Sequence, residues 1–313
     1  MKTIKQITIG LMLLMTAAGA YAQQDAMYTH YMFNTLSVNP GYAGSRDALT
    51  VTGLHRTQWA GFEGAPTTQT ITLHSPILRD ELGAGLSIVN DKIGPTSTLM
   101  LAVDLVYHFQ INDKGHQLAL GLKAGGSLVQ NDLASLNLDN SGDNAFASTV
   151  EREFLPNFGF GAYYYTDRWY VGASTPRLLQ NSFKYSDQST AGQPAAEQRH
   201  YFAIAGAIFD LNETIQLKPT TLLKITEGAP TELDLTGTFV FDEKFWLGAM
   251  WRSGDAFGAL VGYNFTRQLS AGYSFDFSYV NTTFRYNGGS HELMLRYDFI
   301  YKERGKIKSP RYF

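Results

Sequence analysis

Between Leu99 and Ile111 the chain alternates with a strict period of two. Leu99, Leu101, Val103, Leu105, Tyr107, Phe109 and Ile111 are apolar, with Met100, Ala102, Asp104, Val106, His108 and Gln110 between them. Successive side chains of a strand point to opposite faces, so this pattern puts the two faces of a pleated strand in different environments. At 44% hydrophobic residues, seven such hits arise by chance about once in several hundred windows. Recurrence therefore decides.

The pattern recurs. Leu118, Leu120, Leu122, Ala124 and Leu128 share one face against Lys123 and Ser127. Leu233, Leu235, Phe239 and Phe241 alternate with Glu232, Asp234, Thr236 and Thr238. Phe257 to Phe265 repeats the rhythm, and Leu269, Ala271, Tyr273, Phe275 and Phe277 oppose Ser270, Ser274 and Asp276. Leu293, Leu295, Tyr297, Phe299 and Tyr301 oppose Glu292, Met294, Arg296 and Asp298. In each segment the charges fall opposite the apolar row.

This reading gives fourteen strands: 48–60, 66–77, 82–91, 98–111, 116–130, 155–166, 168–175, 200–210, 213–224, 231–241, 245–253, 256–265, 268–278 and 290–302. Most have about the 9–11 residues of a tilted membrane strand, and an even number suits a bacterial barrel. Pro219, inside the ninth strand, is the weakest point, because proline cannot donate to a sheet ladder. Short turns at 112–115, 166–168, 211–213, 242–244 and 266–267 contrast with longer stretches at 131–154, 176–199 and 279–289. That asymmetry separates periplasmic turns from outer loops. Tyr163, Tyr164, Tyr165, Trp169, Tyr170, Phe245, Trp246 and Trp251 lie near strand ends, where an interfacial aromatic girdle would place them.

Charged residues make up 17% of the chain, against about 25% in soluble domains, yet mean hydropathy is only -0.17. A barrel with one lipid-facing and one polar face reconciles the two. The rival is a soluble two-sheet sandwich with its apolar rows turned inward, which the regular turn rhythm disfavours. The fold expected is all-β, a transmembrane antiparallel barrel of about fourteen strands. Cysteine is absent, so backbone pairing, not disulfides, closes it. A net charge of -3 gives no basic surface for nucleic acid.

Residues 1–22 read as a secretory signal: Lys2 and Lys5, an apolar run from Ile7 to Ala17, and Ala20-Tyr21-Ala22 as a cleavage site. The run is shorter than the roughly 20 residues of a spanning helix. Export to the outer membrane of a Gram-negative cell, with cleavage near Ala22, is the expectation. Residues 23–47 then form a lead-in, 48–303 the barrel and 304–313 a tail. The lead-in carries Tyr28, Tyr31, Met32 and Phe33 ahead of Asn39-Pro40-Gly41-Tyr42-Ala43-Gly44. Aromatics are costly to leave in water, so this segment is expected to tuck into or under the lumen.

No catalytic constellation stands out: the chain has no P-loop, zinc-protease helix or nucleophile elbow. Gly83, Gly85, Gly159 and Gly161 lie inside strand patterns, where glycine serves curvature or close packing. The seven histidines lack metal-ligand spacing, and the acidic run Asp139 to Asn144 misses a calcium loop's spacing. No cofactor or metal is expected, and no enzyme activity.

Several stretches resemble the PorP/SprF family of the type IX secretion system of Bacteroidetes: Gln23-Gln24-Asp25, Tyr31-Met32-Phe33-Asn34, Asn39 to Gly44, Arg56-Thr57-Gln58-Trp59, Gly64 to Thr70, His74-Ser75-Pro76, Asn90 to Thr96 and Ser309 to Phe313. Ala26, Thr35 and Gly41 depart from the proline, proline and alanine of the pattern. The resemblance implies an outer-membrane barrel serving secretion. Its partners would be periplasmic ring and peptidoglycan-binding components, outer-membrane lipid, and cargo such as a gliding adhesin bearing a C-terminal sorting domain. Tyr31, Phe33, Asn39, Pro40, Tyr42, Arg56, Trp59, Asn90 and Asp91 are the candidate plug or partner residues. Asp104, Lys123, Arg252, Arg296 and Asp298, with Glu232, Asp234 and Asp276, are expected to pair across the lumen and hold a plug. The alternatives are a diffusion porin, which needs an open charged lumen, and a lipid enzyme at the rim.

Overall fold

The computed structural model describes residues 26–78, 81–132, 153–183, 195–280 and 287–300. The expected signal segment (1–22), the expected C-terminal tail (304–313) and the acidic run 139–144 lie outside them. Fourteen strands form one barrel: β1 Leu49–Thr57, β2 Thr67–Leu78, β3 Leu82–Ile93, β4 Thr96–Gln110, β5 Gln117–Asn131, β6 Glu153–Tyr165 and β7 Trp169–Thr175 make the first half. The second half is β8 His200–Ala207, β9 Ile215–Thr226, β10 Glu232–Phe241, β11 Phe245–Arg252, β12 Ala256–Asn264, β13 Leu269–Ser278 and β14 Ser290–Phe299. Each pairs antiparallel with its sequence neighbour, and β1 pairs β14 from Leu49↔Phe299 to Thr57↔His291, which closes the sheet.

Pro219 stays in β9, opposite Gly237 of β10. On its other side the ladder to β8 lapses between Gly206↔Thr220 and Phe209↔Leu217. The register is unchanged across the gap. The missing donor is accommodated where the chain leaves a local break, and the strand survives.

Sidedness follows the alternation. Leu101, Val103 and Leu105 are 45%, 55% and 56% exposed, whereas Ala102, Asp104 and Val106 are 5% or less. Leu235, Phe239, Leu247, Phe257, Leu293 and Leu295 stand outward in the same way. An apolar surface of this extent, wrapping every strand, is untenable for a monomer in water and is what a barrel presents to acyl chains. The sandwich is excluded, because the apolar rows face out of a closed sheet and not each other.

The strand ends divide the molecule. At one mouth are the tight turns around residues 111–116, 166–168, 211–214, 242–244 and 265–268, with the start of β1 and the end of β14. At the other are the longer connections that follow β1, β5, β7 and β13. Short periplasmic turns and long outer loops orient the barrel.

Candidate functional site: the filled lumen

Residues 28–46 run down the inside of the barrel. Tyr28 to Leu36 and Val38 to Arg46 are buried throughout. Two short 3-10 turns, Thr35–Ser37 and Pro40–Tyr42, keep the path compact, and Asn39 caps the second by accepting from Gly41 N at 2.8 Å. These turns satisfy part of the segment's backbone internally; the remaining polar groups must find partners on the wall, and they do.

The upper anchor lies near the outer loops. Glu292 of β14 accepts from the backbone N–H of Thr29 (3.0 Å) and of His30 (2.8 Å). The Nδ1–H of His30 donates to it at 2.7 Å, the tautomer being fixed because a carboxylate only accepts. Arg56 of β1 donates to Thr29 Oγ1 (3.0 Å) and reaches Glu292 (3.3 Å) and Asp276 of β13 (2.8 Å). Thr29 Oγ1 donates onward to Asp276 at 2.6 Å. Glu292 and His30 are wholly buried. Paired and hydrogen-bonded, these charges escape the penalty of an isolated buried ion.

The middle is held from several sides. Tyr28 and Thr70 of β2 share a 2.6 Å hydroxyl contact. Thr72 donates to Asn34 Oδ1 at 2.7 Å, and Tyr31 Oη lies 3.1 Å from Thr220 of β9. Asn39 Nδ2 donates to Ala162 O of β6 at 3.0 Å, and Ser174 of β7 donates to Val38 O at 2.7 Å. Phe33 stacks on Trp246 of β11 at 4.7 Å between centroids, and Tyr42 meets His74 and Tyr163 edge-on at 5.1 and 5.5 Å.

Inward glycines make room for this. A Cβ on Gly121 would stand 2.5 Å from Gly41 N, and one on Gly161 would stand 2.8 Å from Pro40 Cδ. Gly83 would meet Ala43 C at 2.9 Å. The close-packing reading of Gly83 and Gly161 therefore holds, and the partner is the chain's own N-terminal segment. At Gly41, where the family pattern has alanine, a Cβ would lie 3.1 Å from Gly161 O and 3.2 Å from Ala119 O. The smaller residue lets the turn sit closer.

The lower anchor is at the short-turn mouth. Arg46 donates to Asp298 at 2.7 Å, Thr50 donates to the other oxygen of that carboxylate at 2.7 Å, and His108 Nε2 is 3.0 Å from Ala43 O. Residue 26 thus sits at the long-loop mouth, while the segment joins β1 at the opposite one. Above it, the stretch after β7 folds over the lumen wall: Leu178 N donates to Phe158 O at 2.8 Å and Arg177 reaches Met100 Sδ of β4 at 3.2 Å.

Several expectations change. Trp59, Asn90 and Asp91 lie at the loop ends of β1 and β3, not along the plug. Trp59 N donates to Ser290 Oγ (3.2 Å), Asn90 donates to Gln69 on the outer face (2.6 Å), and Asp91 accepts from Thr68 (2.6 Å). The lumen charges pair along the wall and not across it: Lys123–Asp104 at 2.9 Å, Arg252–Asp234 at 2.9 Å and Lys224–Glu232 at 3.6 Å. Adjacent strands are about 4.8 Å apart, whereas the far wall is screened by the plug, which itself contributes Arg46 to Asp298. Arg296 lies 3.9 Å from Asp298 and over the ring of Phe33 at 5.4 Å. The aromatic girdle splits by parity: Trp169 and Phe245 face out, while Tyr163, Tyr165, Tyr170 and Trp246 are buried inward. His30, Thr29, Arg46, Lys218 and the role of Glu292 escaped the sequence reading. Glu292's inward parity was the one usable signal.

A closed fourteen-stranded barrel with an apolar exterior and a chain segment locked in its lumen defines a plugged outer-membrane β-barrel protein. The family model described as "Type IX secretion system membrane protein PorP/SprF" matches residues 20–297. The chain belongs to that family. No match is found among curated proteins. Solved structures that resemble it include the CymD monoaromatic hydrocarbon channel, at 10% identity, TM-score 0.49, covering 88% of this chain and 94% of that one. The Acinetobacter baumannii outer membrane protein Omp33 has 9% identity and TM-score 0.47, covering 82% and 100%. The KdgM porin has 8% identity and TM-score 0.36, covering 80% and 99%.

Proposed function

We propose that this protein serves type IX secretion as a sealed outer-membrane partner for proteins, and not as a solute channel. The observation that carries the reading is the filled lumen: residues 28–46 are anchored at one mouth by hydrogen bonds of Thr29 and His30 to the buried Glu292–Arg56–Asp276 network and at the other by the buried Arg46–Asp298 ion pair. A porin needs open cross-section, and here that space holds Tyr31, Phe33, Leu36 and Tyr42. Binding then takes place at the two mouths. The loops after β5 and β7 are the outer surface offered to a secreted adhesin or other cargo with a C-terminal sorting domain. The short turns are the surface offered to periplasmic ring and peptidoglycan-binding components. No catalytic role is assigned to any residue, and removal of residues 1–22 on export is part of the same reading.

Two measurements test it. Purified protein in planar bilayers should give no steady conductance. Deleting the gene should abolish surface display of cargo bearing the sorting domain, with restoration by the full chain. Porin-sized steady currents together with undisturbed cargo display in the deletion strain would refute the proposal.

A further inference from the structure

The apolar belt on the outside of the barrel is not of one height. On β4, β5 and β6 the outward positions are apolar, aromatic, proline or glycine from Leu99 to Phe109, Leu118 to Leu128 and Phe154 to Tyr164. On β13 the row runs from Leu269 to Phe277. On the four strands between, it stops early: Leu293 to Phe299 on β14, Leu49 to Gly53 on β1, Ile71 to Ile77 on β2 (with Ser75 in the row) and Leu82 to Ile88 on β3. At the rise of a strand tilted by about 40°, the long rows reach about 25 Å up the wall and the short ones about 10–15 Å. On β7 and β11 the row is short because the strand is. On β14 and β1 to β3 the strands continue, and their outward side chains turn polar.

These polar positions adjoin. The register sets Thr57, Thr67 and Lys92 in one row and His55, Gln69 and Asn90 in the row below, with His291 beside Thr57. Neighbours within a row are about 5 Å apart and the rows about 7 Å, so the grid covers about 10 by 7 Å. Asn90 Nδ2 donates to Gln69 Oε1 at 2.6 Å, and His55 lies 3.5 Å from Gln69 and 3.4 Å from Thr57. Its charge is of one sign. Lys92 is exposed and makes no ion pair among the described residues. No carboxylate on these four strands faces outward with it: Glu292 and Asp298 are buried in the lumen, and Asp91 accepts from the inward Thr68. Glu63 lies in the loop that follows β1.

Acyl chains offer amides, imidazoles and an ammonium nothing in return for their water. A belt about 10 Å too short draws the polar layer of the leaflet down to meet them. The grid lies at the long-loop ends of its strands, so the leaflet concerned is the outer one. A lone cation among neutral hydrogen-bonding groups, with no carboxylate beside it, suits an anion that also bears hydroxyls. We propose that the face formed by β14 and β1 to β3 docks the phosphorylated sugar headgroup of an outer-leaflet glycolipid. Lys92 and Asn90 donate to the phosphate, as charge-assisted bonds favour. His55, Thr57, Thr67 and Gln69 meet the sugar hydroxyls, and the acyl chains pack on the exposed Ile71 and Leu86 below. The inference rests on the membrane placement of the barrel and is independent of the secretion reading.

The test places the full chain in phosphatidylethanolamine nanodiscs that carry a small fraction of bisphosphorylated lipid A, or of the same lipid A with its phosphates removed. Native mass spectrometry then counts the lipid A retained on each barrel. The phosphorylated form is expected to be retained at least about ten-fold better, because hydrogen bonds to a charged group are the stronger ones. Lys92→Gln should erase most of that preference. Gln69→Leu combined with Asn90→Leu should lower retention of both forms several-fold, and since leucine extends the apolar belt, this barrel folds even where others fail. Thr221→Leu, outward on β9 at the far wall, should change nothing. Equal retention of the two forms, or retention unmoved by the β2 and β3 variants, would overturn the proposal. So would a photo-crosslinker at position 67 that captures a protein in intact cells while lipid A retention stays at background, which assigns the face to a protein instead.

Discussion

Arg56→Met isolates the upper anchor of the plug. Arg56 is nearly fully buried and donates to Thr29 Oγ1, Asp276 and Glu292 at 3.0, 2.8 and 3.3 Å. Methionine keeps much of the volume and removes the charge, leaving two buried carboxylates to share the imidazole of His30 and the hydroxyl of Thr29. Removing one partner of a buried pair costs about 3–5 kcal/mol. Because β1 keeps its full backbone ladders to β2 and β14, that cost falls on the plugged state and not on closure of the barrel. At 1.4 kcal/mol per factor of ten, the plug-out population rises about 140- to 3700-fold. Amide exchange reads this directly. The N–H groups of Thr29 and His30, bonded to Glu292, should lose protection by that factor, while amides of β4 and β5 hold theirs. In planar bilayers the same variant should show transient openings that the parent protein lacks. Arg56→Lys, with the charge but not the fork, should fall between. Unchanged protection at Thr29 and His30, or an equal loss in the strands, would refute the assignment of Arg56 to the plug.

Other outcomes follow from the same geometry. Gly121→Val places a side chain against Gly41 N and should destabilise plug docking by about 1–3 kcal/mol, seen as loss of protection at residues 39–44 with the barrel intact. Val103→Arg, on the lipid face, should cost about 2–4 kcal/mol of barrel stability near the midplane, measured by denaturant unfolding in lipid vesicles, whereas Val103→Leu should be near neutral. The even positions beside it offer less contrast than alternation alone suggests, because Ala102 and Val106 are packed at 5% and 1% exposure. The chain has no cysteine, so introduced thiols report topology cleanly. In intact cells, Ala26→Cys should react with a membrane-impermeant maleimide and Asp242→Cys, in a short turn, should not. The opposite labelling would invert the barrel.

The alternation from Leu99 to Ile111 is a local property of the chain. It fixed strand, face and environment together, because lipid and lumen sort side chains at every second residue. The same rule placed Asp104, Glu292, Arg296 and Asp298 inward before any contact was known. Sequence motifs likewise marked Tyr31, Phe33, Asn39, Pro40 and Tyr42 as a segment with somewhere to hide. Where it hides is not local. Thr29 meets Asp276 across 247 residues and His30 meets Glu292 across 262, and only closure of the sheet brings those strands around one axis. Trp246 shows the boundary within a single residue. Its position at a strand end suggested the girdle. The open space over Gly262 and Gly272, supplied by two other strands, gives its ring a seat inside. Pairing partners and plug direction were decided by tertiary structure, because each depends on which side chains face one another across an enclosed volume. Alternation carries no information about that.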